Sequence, residues 1–225
     1  MRIVLSIGGS SINPNGDPDV KFLKEIANIL KKSRHEFGIV TGGGSTARAY
    51  ANAARHMGAG EYNADAAAIL ATKQNAHMVI AALGDTAYPN VPETFEDARA
   101  QLGKYKVIVM GGTIPGITTD SDSALLAEAL GAKRLINISN VDAIYEKDPK
   151  KTPNAKKFKK LTYDQLISLA TENDKRTAGT HFVFDLLACK LVARSGIETH
   201  FVSCKDKRDI THAVEGKEHS GTIVR

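Results

Sequence analysis

Residues 37–48 of the chain read FGIVTGGGSTAR. Residues 37–41 form a short apolar run, which predicts a buried β-strand. Three consecutive glycines end the run, and Ser45 is a candidate N-cap for a helix that extends to about Met57. The stretch therefore predicts a strand, a tight glycine turn and a helix in direct succession.

The same order of elements occurs twice more. A strand predicted at Arg2–Ile7 ends in Gly8-Gly9-Ser10, and one at Val107–Met110 ends in Gly111-Gly112. Further strands are predicted at 134–138 and 198–202, and helices at 19–32, 63–83, 121–130, 163–170, 182–194 and 206–214. Strands that alternate with helices indicate crossover connections and a largely parallel sheet covered on both faces. We therefore expect an α/β fold, a three-layer α/β/α sandwich.

The composition excludes several classes of protein. The 225 residues carry a net charge of +5 and 42% of them are hydrophobic, which is typical of a globular chain. No apolar run reaches the roughly 18 residues that cross a bilayer, and the first residues lack the pattern of a secretory signal. Two cysteines, Cys189 and Cys204, are too few for a disulfide scaffold, and the seven histidines have no metal-ligand spacing. We expect a cytoplasmic protein that does not enter a membrane.

Residues 147–160 are rich in lysine and contain two prolines. Phe158 is the lone aromatic residue among them, so the stretch indicates a solvated surface rather than an RNA-binding patch, and we expect no nucleic-acid partner. It is also a candidate boundary within one domain of residues 1–225, between an N-terminal lobe of about residues 1–145 and a C-terminal lobe of about residues 146–225.

Glycine-tipped strand ends suit phosphate binding. In an open parallel sheet, ligands lie beyond the carboxyl ends of the strands, and glycine lets backbone N–H groups approach phosphate oxygens beside a helix N-terminus. One such cluster is also explained by a tight turn, but three at corresponding strand ends favour a site for several phosphates. A Walker A loop is excluded because Gly44 stands where its lysine should be. A dinucleotide-binding fold is disfavoured because the acidic residues Glu61 and Asp65 enter a helical pattern, not a strand end.

Two further features near these turns favour a phosphorylated ligand. Arg48, one turn into the predicted helix, can offer a bidentate guanidinium to phosphates, and a surface ion pair is the alternative. The loop at 113–119 contains three threonines, a proline and a glycine, and it suits the enclosure of a nucleoside monophosphate. Asp120 then precedes a helix, where an N-cap is the expected role.

These motifs resemble those of the amino-acid-kinase superfamily. The resemblance rests on residues 7–10, IGGS, and on residues 42–48, GGGSTAR. Residues 111–120, GGTIPGITTD, and 139–149, SNVDAIYEKDP, are similar to the archaeal-type uridine monophosphate kinases within that superfamily. The likeness extends over nearly the whole chain.

The resemblance implies ATP-dependent phosphorylation of UMP to UDP in pyrimidine nucleotide biosynthesis, with Mg²⁺ bound together with ATP, in a homohexamer. It implies that the N-terminal lobe binds the acceptor and the C-terminal lobe binds ATP. The residues it assigns to ATP are Gly9, Ser10, Gly44, Arg48, Ser139, Tyr145 and Asp148. The residues it assigns to UMP are Gly43, Asp65 at the ribose, Thr113, Ile114, Pro115, Gly116, Ile117, Thr118 and Thr119. It assigns catalytic roles to Arg48 and Asp185 and no metal ligand to the protein.

The sequence departs from this family pattern at Ser6. Many relatives have a lysine at this position of the first strand, where it neutralises the transferring phosphoryl group. Candidate replacements here are Lys175, Arg176 and Lys190. Asp185 also has a second interpretation, as a carboxylate in the first turn of a helix.

Two other functions stay open at this stage. One is a kinase of the same fold that acts on another small acid or phosphate, such as isopentenyl phosphate. In the relatives that activity goes with a histidine shortly after the glycine-rich loop, where this chain has Ser45-Thr46-Ala47 and, farther on, His56. The other is a catalytically silent nucleotide-binding protein, which the departure at Ser6 suggests.

Overall fold

The computed structural model of the protein describes residues 1–147, 149, 152, 154–173 and 184–225. Strands and helices alternate along most of this part of the chain. The strands are β1 (Arg2–Ile7), β2 (Glu36–Thr41), β3 (Val107–Met110), β4 (Arg134–Ser139), β5 (Lys160–Leu161), β6 (Glu198–Ser203) and β7 (Thr222–Val224). The helices are α1 (Gly9–Ile12), α2 (Val20–Lys32), α3 (Gly44–His56), α4 (Glu61–Leu83), α5 (Phe95–Gln101), α6 (Thr119–Leu130), α7 (Tyr163–Asn173), α8 (Leu186–Arg194) and α9 (Lys207–Glu215), with a 3₁₀ turn at Gly84–Thr86.

The strands form one sheet in the order β3-β2-β1-β4-β6-β7-β5. The first five strands of that order are mutually parallel. β7 runs antiparallel to β6, and β5 pairs in parallel with β7. The five parallel strands therefore end at a common edge of the sheet, called here the carboxyl edge, and begin at the opposite amino edge. The prediction of a largely parallel sheet is confirmed.

Helices cover both faces of this sheet. α2, α4 and α9 pack on the face that buries Ile3, Leu5 and Ile39. α5, α6, α7 and α8 pack on the face that buries Val4 and Val40. Because successive side chains of a strand point to opposite faces, β1 contributes to both cores. The three-layer α/β/α architecture is confirmed, and within the described ranges no helix combines the length and the apolar character that crossing a bilayer requires.

Gly38 lets helix α6 approach the middle of β2. A Cβ atom at this position would lie 2.7 Å from Leu130 Cδ1 and 3.0 Å from Leu126 Cδ2. This glycine therefore serves packing within a strand, which agrees with the exclusion of a Walker A loop that would begin here.

Cationic side chains at the amino edge bond to the last carbonyl groups of helices. Such carbonyls lack partners within the helix and carry partial negative charge. The contacts are Arg2 Nη1 with Leu130 O at 2.9 Å, Lys106 Nζ with Lys31 O at 2.8 Å, and Arg134 Nη1 with Ala213 O at 3.1 Å. They neutralise the C-terminal ends of α6, α2 and α9.

Two predicted helix caps are wrong. Ser45 lies inside the first turn of α3, and Gly43 occupies the cap position, because main-chain contacts of the glycines fix this turn. Asp120 lies in the first turn of α6, since Thr118 is the N-cap and its hydroxyl accepts from Ser121 N at 3.2 Å. The other predicted elements agree with the structure to within a few residues, while α1, α5, β5 and β7 were not predicted. The structure describes α8 from Leu186, and residues 182 and 183 of the predicted helix lie outside the described part.

Candidate active site

The glycine turns that follow β1 and β2 touch each other through their main chains. A Cβ atom on Gly9 would overlap the backbone of Gly43 and Gly44 and would lie 2.6 Å from Gly42 O. Gly44 has a φ of +64°, a left-handed conformation that glycine adopts without strain. The two turns therefore form one surface at the carboxyl edge, called here the glycine floor (residues 8–9 and 42–44).

Two buried asparagines support the glycine floor. Asn75 Nδ2 donates to Gly42 O at 2.7 Å. Asn13 Nδ2 donates to Asn75 Oδ1 at 3.3 Å and to Thr46 Oγ1 at 3.2 Å. Loss of a partner by a buried amide costs about 1–3 kcal/mol. These bonds therefore favour a single conformation of the turns.

Helix α3 begins at the glycine floor without a side-chain cap. Within the described structure, no side chain bonds to its first N–H groups. These groups and the positive end of the helix dipole are thus available for an anion at the carboxyl edge. Four residues predicted to contact nucleotide lie at this terminus or in α1, which packs against it: Gly9, Ser10, Gly43 and Gly44.

Thr72 of α4 connects the third glycine turn to the other two. Its Oγ1 accepts from Gly112 N at 2.7 Å, and its carbonyl oxygen accepts from Thr41 Oγ1 at 2.8 Å. A Cβ atom on Gly43 would lie 3.3 Å from Thr72 Cγ2. All three glycine-tipped strand ends thus lie together, as the sequence predicts.

The loop at 113–119 is held between two carboxylates. Gly116 N donates to Asp65 Oδ2 at 2.9 Å, while Thr113 donates to Asp122 through its N at 3.2 Å and its Oγ1 at 2.6 Å. Asp65 lies on α4 and Asp122 on α6, so the loop joins helices from opposite faces of the sheet. Burial raises the pKa of Asp122 to about 6, and the Thr113 bonds oppose the shift. Ile114 is 55% exposed, which leaves an apolar side chain of this loop open to a ligand.

Asp120 receives hydrogen bonds from two neighbouring strands. Ser6 Oγ donates to its Oδ1 at 3.1 Å and Asn137 Nδ2 at 3.0 Å, and these two residues are register partners in β1 and β4. Desolvation raises the pKa of Asp120 to about 7, and the negative charge of Asp185 adds to the rise. Among the described residues no cation contributes to this pKa. At the position where the resemblance implies a lysine, Ser6 supplies a hydrogen bond without a charge.

Asp185 joins the N-termini of two helices. It is the N-cap of α8, where it accepts from Ala188 N at 2.9 Å. It also accepts from Ser121 Oγ at 3.0 Å and from Thr118 Oγ1, both at the start of α6. Asp185 therefore lies at a helix N-terminus, as its second interpretation expects, but it is the N-cap and not a residue of the first turn. The contact with Thr118 also brings Asp185 to the loop at 113–119.

The end of β4 lies beside the glycine floor. Gly8 N donates to Ile138 O at 2.9 Å, which places Ser139 next to the floor. A cavity of about 530 Å³ opens beside Ser10 and Asn140. Ser10 and Asn140 thus line a concave surface next to the glycine floor.

Tyr145 is fixed by a carboxylate. Its hydroxyl donates to Asp142 Oδ1 at 2.9 Å, and Lys157 Nζ bonds to Asp142 Oδ2 at 2.7 Å. The lysine holds the pKa of Asp142 below its usual range against the opposing effect of burial. Three residues of the sequence prediction lie outside the described residues: Asp148, Lys175 and Arg176.

Arg48 and Lys190 are exposed on α3 and α8. No described carboxylate forms an ion pair with either side chain. The surface ion pair considered for Arg48 is therefore not observed in this part of the chain. Its guanidinium lies on the helix whose N-terminus forms part of the glycine floor.

The polar contacts beneath the glycine floor were not predicted from the sequence. The contacts of Asp120 could have been suspected from the sequence, because the polar residues Ser6 and Asn137 interrupt apolar strands. Both strands end at the carboxyl edge, where a ligand was predicted. Thr72 and Asn75 left no such signal in the long helical pattern of α4. Their contacts depend on the tertiary packing of that helix against β2 and β3.

Substitution of Asp120 tests the cause of its raised pKa. The carboxyl has a pKa near 3.8 when unfolded and about 7 when folded, so the folded state binds this proton more tightly and loses relative stability as the pH rises between those values. Asparagine can accept the same two bonds without a charge. We expect Asp120→Asn to raise the melting temperature at pH 8, by roughly 2–4 °C for each kcal/mol regained, and to raise it less at pH 5.

Circular dichroism melts at both pH values measure this difference. Asp85→Asn is the matched control, because Asp85 is exposed and follows α4 in the 3₁₀ turn. Equal shifts in melting temperature for the two variants, or a shift for Asp120→Asn that does not depend on pH, would contradict the raised pKa of Asp120.

Comparison with known proteins places the chain in a family. Residues 1–203 match the amino acid kinase family. The chain is 45% identical to the uridylate kinase of Thermococcus onnurineus (strain NA1) across 100% of this chain and 99% of that protein. It is 43% identical to the uridylate kinase of Methanocaldococcus jannaschii across 90% of each.

Solved structures give the same result. The uridylate kinase from Archaeoglobus fulgidus superposes with a TM-score of 0.89 at 37% identity, with both chains fully covered. The UMP kinase from Bacillus anthracis, at 21% identity and a TM-score of 0.83, shares the fold across 100% of this chain and 95% of its own. Together with the geometry of the glycine floor and of the loop at 113–119, these matches establish that the chain belongs to the amino acid kinase family.

Proposed function

We propose that this chain is a UMP kinase, which transfers the γ-phosphoryl group of ATP to UMP and releases UDP and ADP. The observation that carries the proposal is the meeting of three glycine turns around Thr72, beside a loop held by Asp65. The full-length similarity to proteins named uridylate kinase supports it.

Asp65 and the loop at 113–119 form the acceptor half of the proposed site. Asp65 Oδ2 already accepts from Gly116 N at 2.9 Å. Its other oxygen is the acceptor we assign to the ribose hydroxyls of UMP. The main chain and hydroxyls of the loop then enclose the nucleotide next to Gly43. Binding of the ribose and ordering of the loop thus depend on the same carboxylate.

The glycine floor and the start of α3 form the donor half. Backbone N–H groups at Gly9 and Gly44, with Ser10 and Arg48, are the groups we assign to the ATP phosphates. Ser139, Tyr145 and Asp148 are assigned to the adenosine. We place the division between an acceptor lobe and an ATP lobe near residue 145, although the sheet continues across it through the pairing of β4 with β6.

Transfer of a phosphoryl group between two anions depends on positioning and on neutralisation of charge. Arg48 can form charge-assisted hydrogen bonds to the phosphates, each worth about 1.5–3 kcal/mol.

The carboxylates of Asp120 and Asp185 suit Mg²⁺, which prefers one or two carboxylates together with substrate phosphates. Burial raises the pKa of Asp120 to about 7, and a cation bound nearby would lower it again. Mg²⁺ bound with ATP would offset the charge of the phosphates; in the described ranges no group of three metal-binding side chains forms a separate site.

The position of His56 disfavours an isopentenyl phosphate kinase. This histidine is the last residue of α3. At a rise of about 1.5 Å per residue it lies about 18 Å along the helix axis from Gly44. No histidine therefore follows the glycine floor closely enough to fill that role.

The choice of acceptor is the direct test of the proposed function. Purified protein with Mg²⁺ and ATP is offered UMP, CMP, isopentenyl phosphate or acetylglutamate, and release of ADP is followed in a coupled assay. We expect turnover that is selective for UMP. Turnover selective for another acceptor would replace the proposed substrate, and tight ATP binding without any turnover would support a silent nucleotide-binding protein.

Two variants separate the acceptor half from the donor half. Asp65→Asn should raise KM for UMP with little change in kcat, because the lost charge weakens the ribose contact and loosens the loop. Arg48→Ala should lower kcat/KM at least tenfold, which corresponds to about 1.4 kcal/mol of transition-state stabilisation. Arg99→Ala, on the exposed side of α5, is the control. An unchanged KM in the first variant or an unchanged kcat/KM in the second would remove that residue from the site.

We further propose that the protein is a cytoplasmic homohexamer and that α3 and α4 contribute an interface between copies. Tyr50 on α3, Met57 directly after α3, and Tyr62 and Leu70 on α4 are 63%, 81%, 72% and 68% exposed. Burial of such side chains against a second copy removes apolar surface from water. The exposure of these four large apolar residues on or next to two adjacent helices is the support for this assignment.

Light scattering coupled to size exclusion tests the interface. We expect Tyr62→Glu/Leu70→Glu to reduce the mass of the assembly, because the charges would be desolvated at the contact. Val20→Glu is the control, since Val20 is 58% exposed at the start of α2. A hexameric mass for all three proteins would reject this interface, and a monomeric wild-type protein would reject the assembly.

A further inference from the structure

A cavity lies at the amino edge of the sheet, opposite the candidate active site. It has a volume of about 670 Å³ and lies between the C-terminal turns of α2 and α9. Its lining includes four basic residues, Lys32, Arg34, His35 and Lys217, and two apolar ones, Ile29 and Val214. Its volume is within the range of ordinary small-molecule sites, about 300–1,000 Å³.

Helix dipoles do not account for all of these cations. Cations near a helix C-terminus usually compensate its unpaired carbonyl groups. At this cavity, side chains of other elements already do so. Lys106 Nζ donates to Lys31 O at 2.8 Å and to Ser33 O. Arg134 Nη1 donates to Ala213 O at 3.1 Å and to Val214 O at 3.3 Å.

The positive charge of the cavity is not balanced by the described carboxylates. Glu215 is paired with Lys217 at 2.5 Å. Lys32 and Arg34 form no ion pair with any carboxylate in the ranges that the structure describes. Burial lowers the pKa of His35, and every charged group that adds to the shift is a cation: the N-terminal amino group, Arg34, Arg134 and Lys106. The cavity therefore has a positive potential.

We propose that this cavity is a second ligand site, which binds a small, multiply charged anion of the phosphorylated or polycarboxylic class. Lys32 and Arg34 are the groups that bind the charges, and Arg34 offers the bidentate geometry that phosphate and carboxylate share. Ile29 contacts the less polar part of the ligand. The site is separate from the glycine floor and does not depend on the identity of the phosphoryl acceptor.

Calorimetric titration tests this site while the candidate active site is filled. The protein is first saturated with UMP and a non-hydrolysable ATP analogue, without Mg²⁺ because both titrants chelate it, at 0.15 M ionic strength, about the physiological value. Tripolyphosphate is then titrated in one arm and citrate in the other, so that the two classes of anion are distinguished. We expect at least one of them to bind with one site per chain. We expect Lys32→Gln/Arg34→Gln to weaken that binding at least tenfold.

The matched control is Lys24→Gln/Lys159→Gln, which removes the same charge from exposed positions outside the cavity. It should change the affinity less than twofold, and the melting temperatures of both variants should equal that of the wild type. No binding in either arm, or equal weakening by the two double variants, would overturn the proposal. An error in the proposed function would appear separately, as a failure of UMP to bind in the preliminary saturation.

Discussion

The close approach of two main chains at Gly9 and Gly44 determines the arrangement of the candidate site. A side chain at Gly9 would force the ends of β1 and β2 apart. β1 is hydrogen-bonded on both sides, and Ile7 is the register partner of both Thr41 and Ile138. A separation at the glycine floor would therefore disturb three strands of the sheet. In this way the register of the sheet fixes the positions of the N–H groups that we assign to phosphate.

The distribution of charge differs between the two edges of the sheet. At the carboxyl edge, Asp120 and Asp122 have raised pKa values because their charged forms are desolvated. At the amino edge, Arg2, Lys106 and Arg134 neutralise helix ends, and further cations surround the cavity between α2 and α9. In the proposed function, helix N-termini, Arg48 and the Mg²⁺ bound with ATP would supply the positive charge. The proposed site would then offset phosphate repulsion without a fixed cation at Ser6.

Sequence patterns predicted the order of the main strands and helices because glycine turns and apolar periodicity are local properties. They also predicted that Gly9, Gly43 and Gly112 lie at one edge, since parallel strands end on the same side. The role of Asp120 was not predictable from its neighbours alone, because it depends on the pairing of Ser6 with Asn137 across two strands. The short strands β5 and β7 were not predicted, for a related reason. Two or three residues are too few for a periodic pattern, and their pairing comes from distant parts of the chain.

The position of β7 has a consequence for the order in which the molecule assembles. β5 and β6 do not pair with each other; both are bonded to β7, which lies between them in the sheet. Lys160 and Leu161 find their partners only at Ile223 and Val224, a closure that spans more than a quarter of the chain. During synthesis, the parallel strands β1 to β4 are complete long before the ribosome reaches those residues. The pairing of β5 with β7 therefore cannot form until Thr222–Val224 have been synthesised.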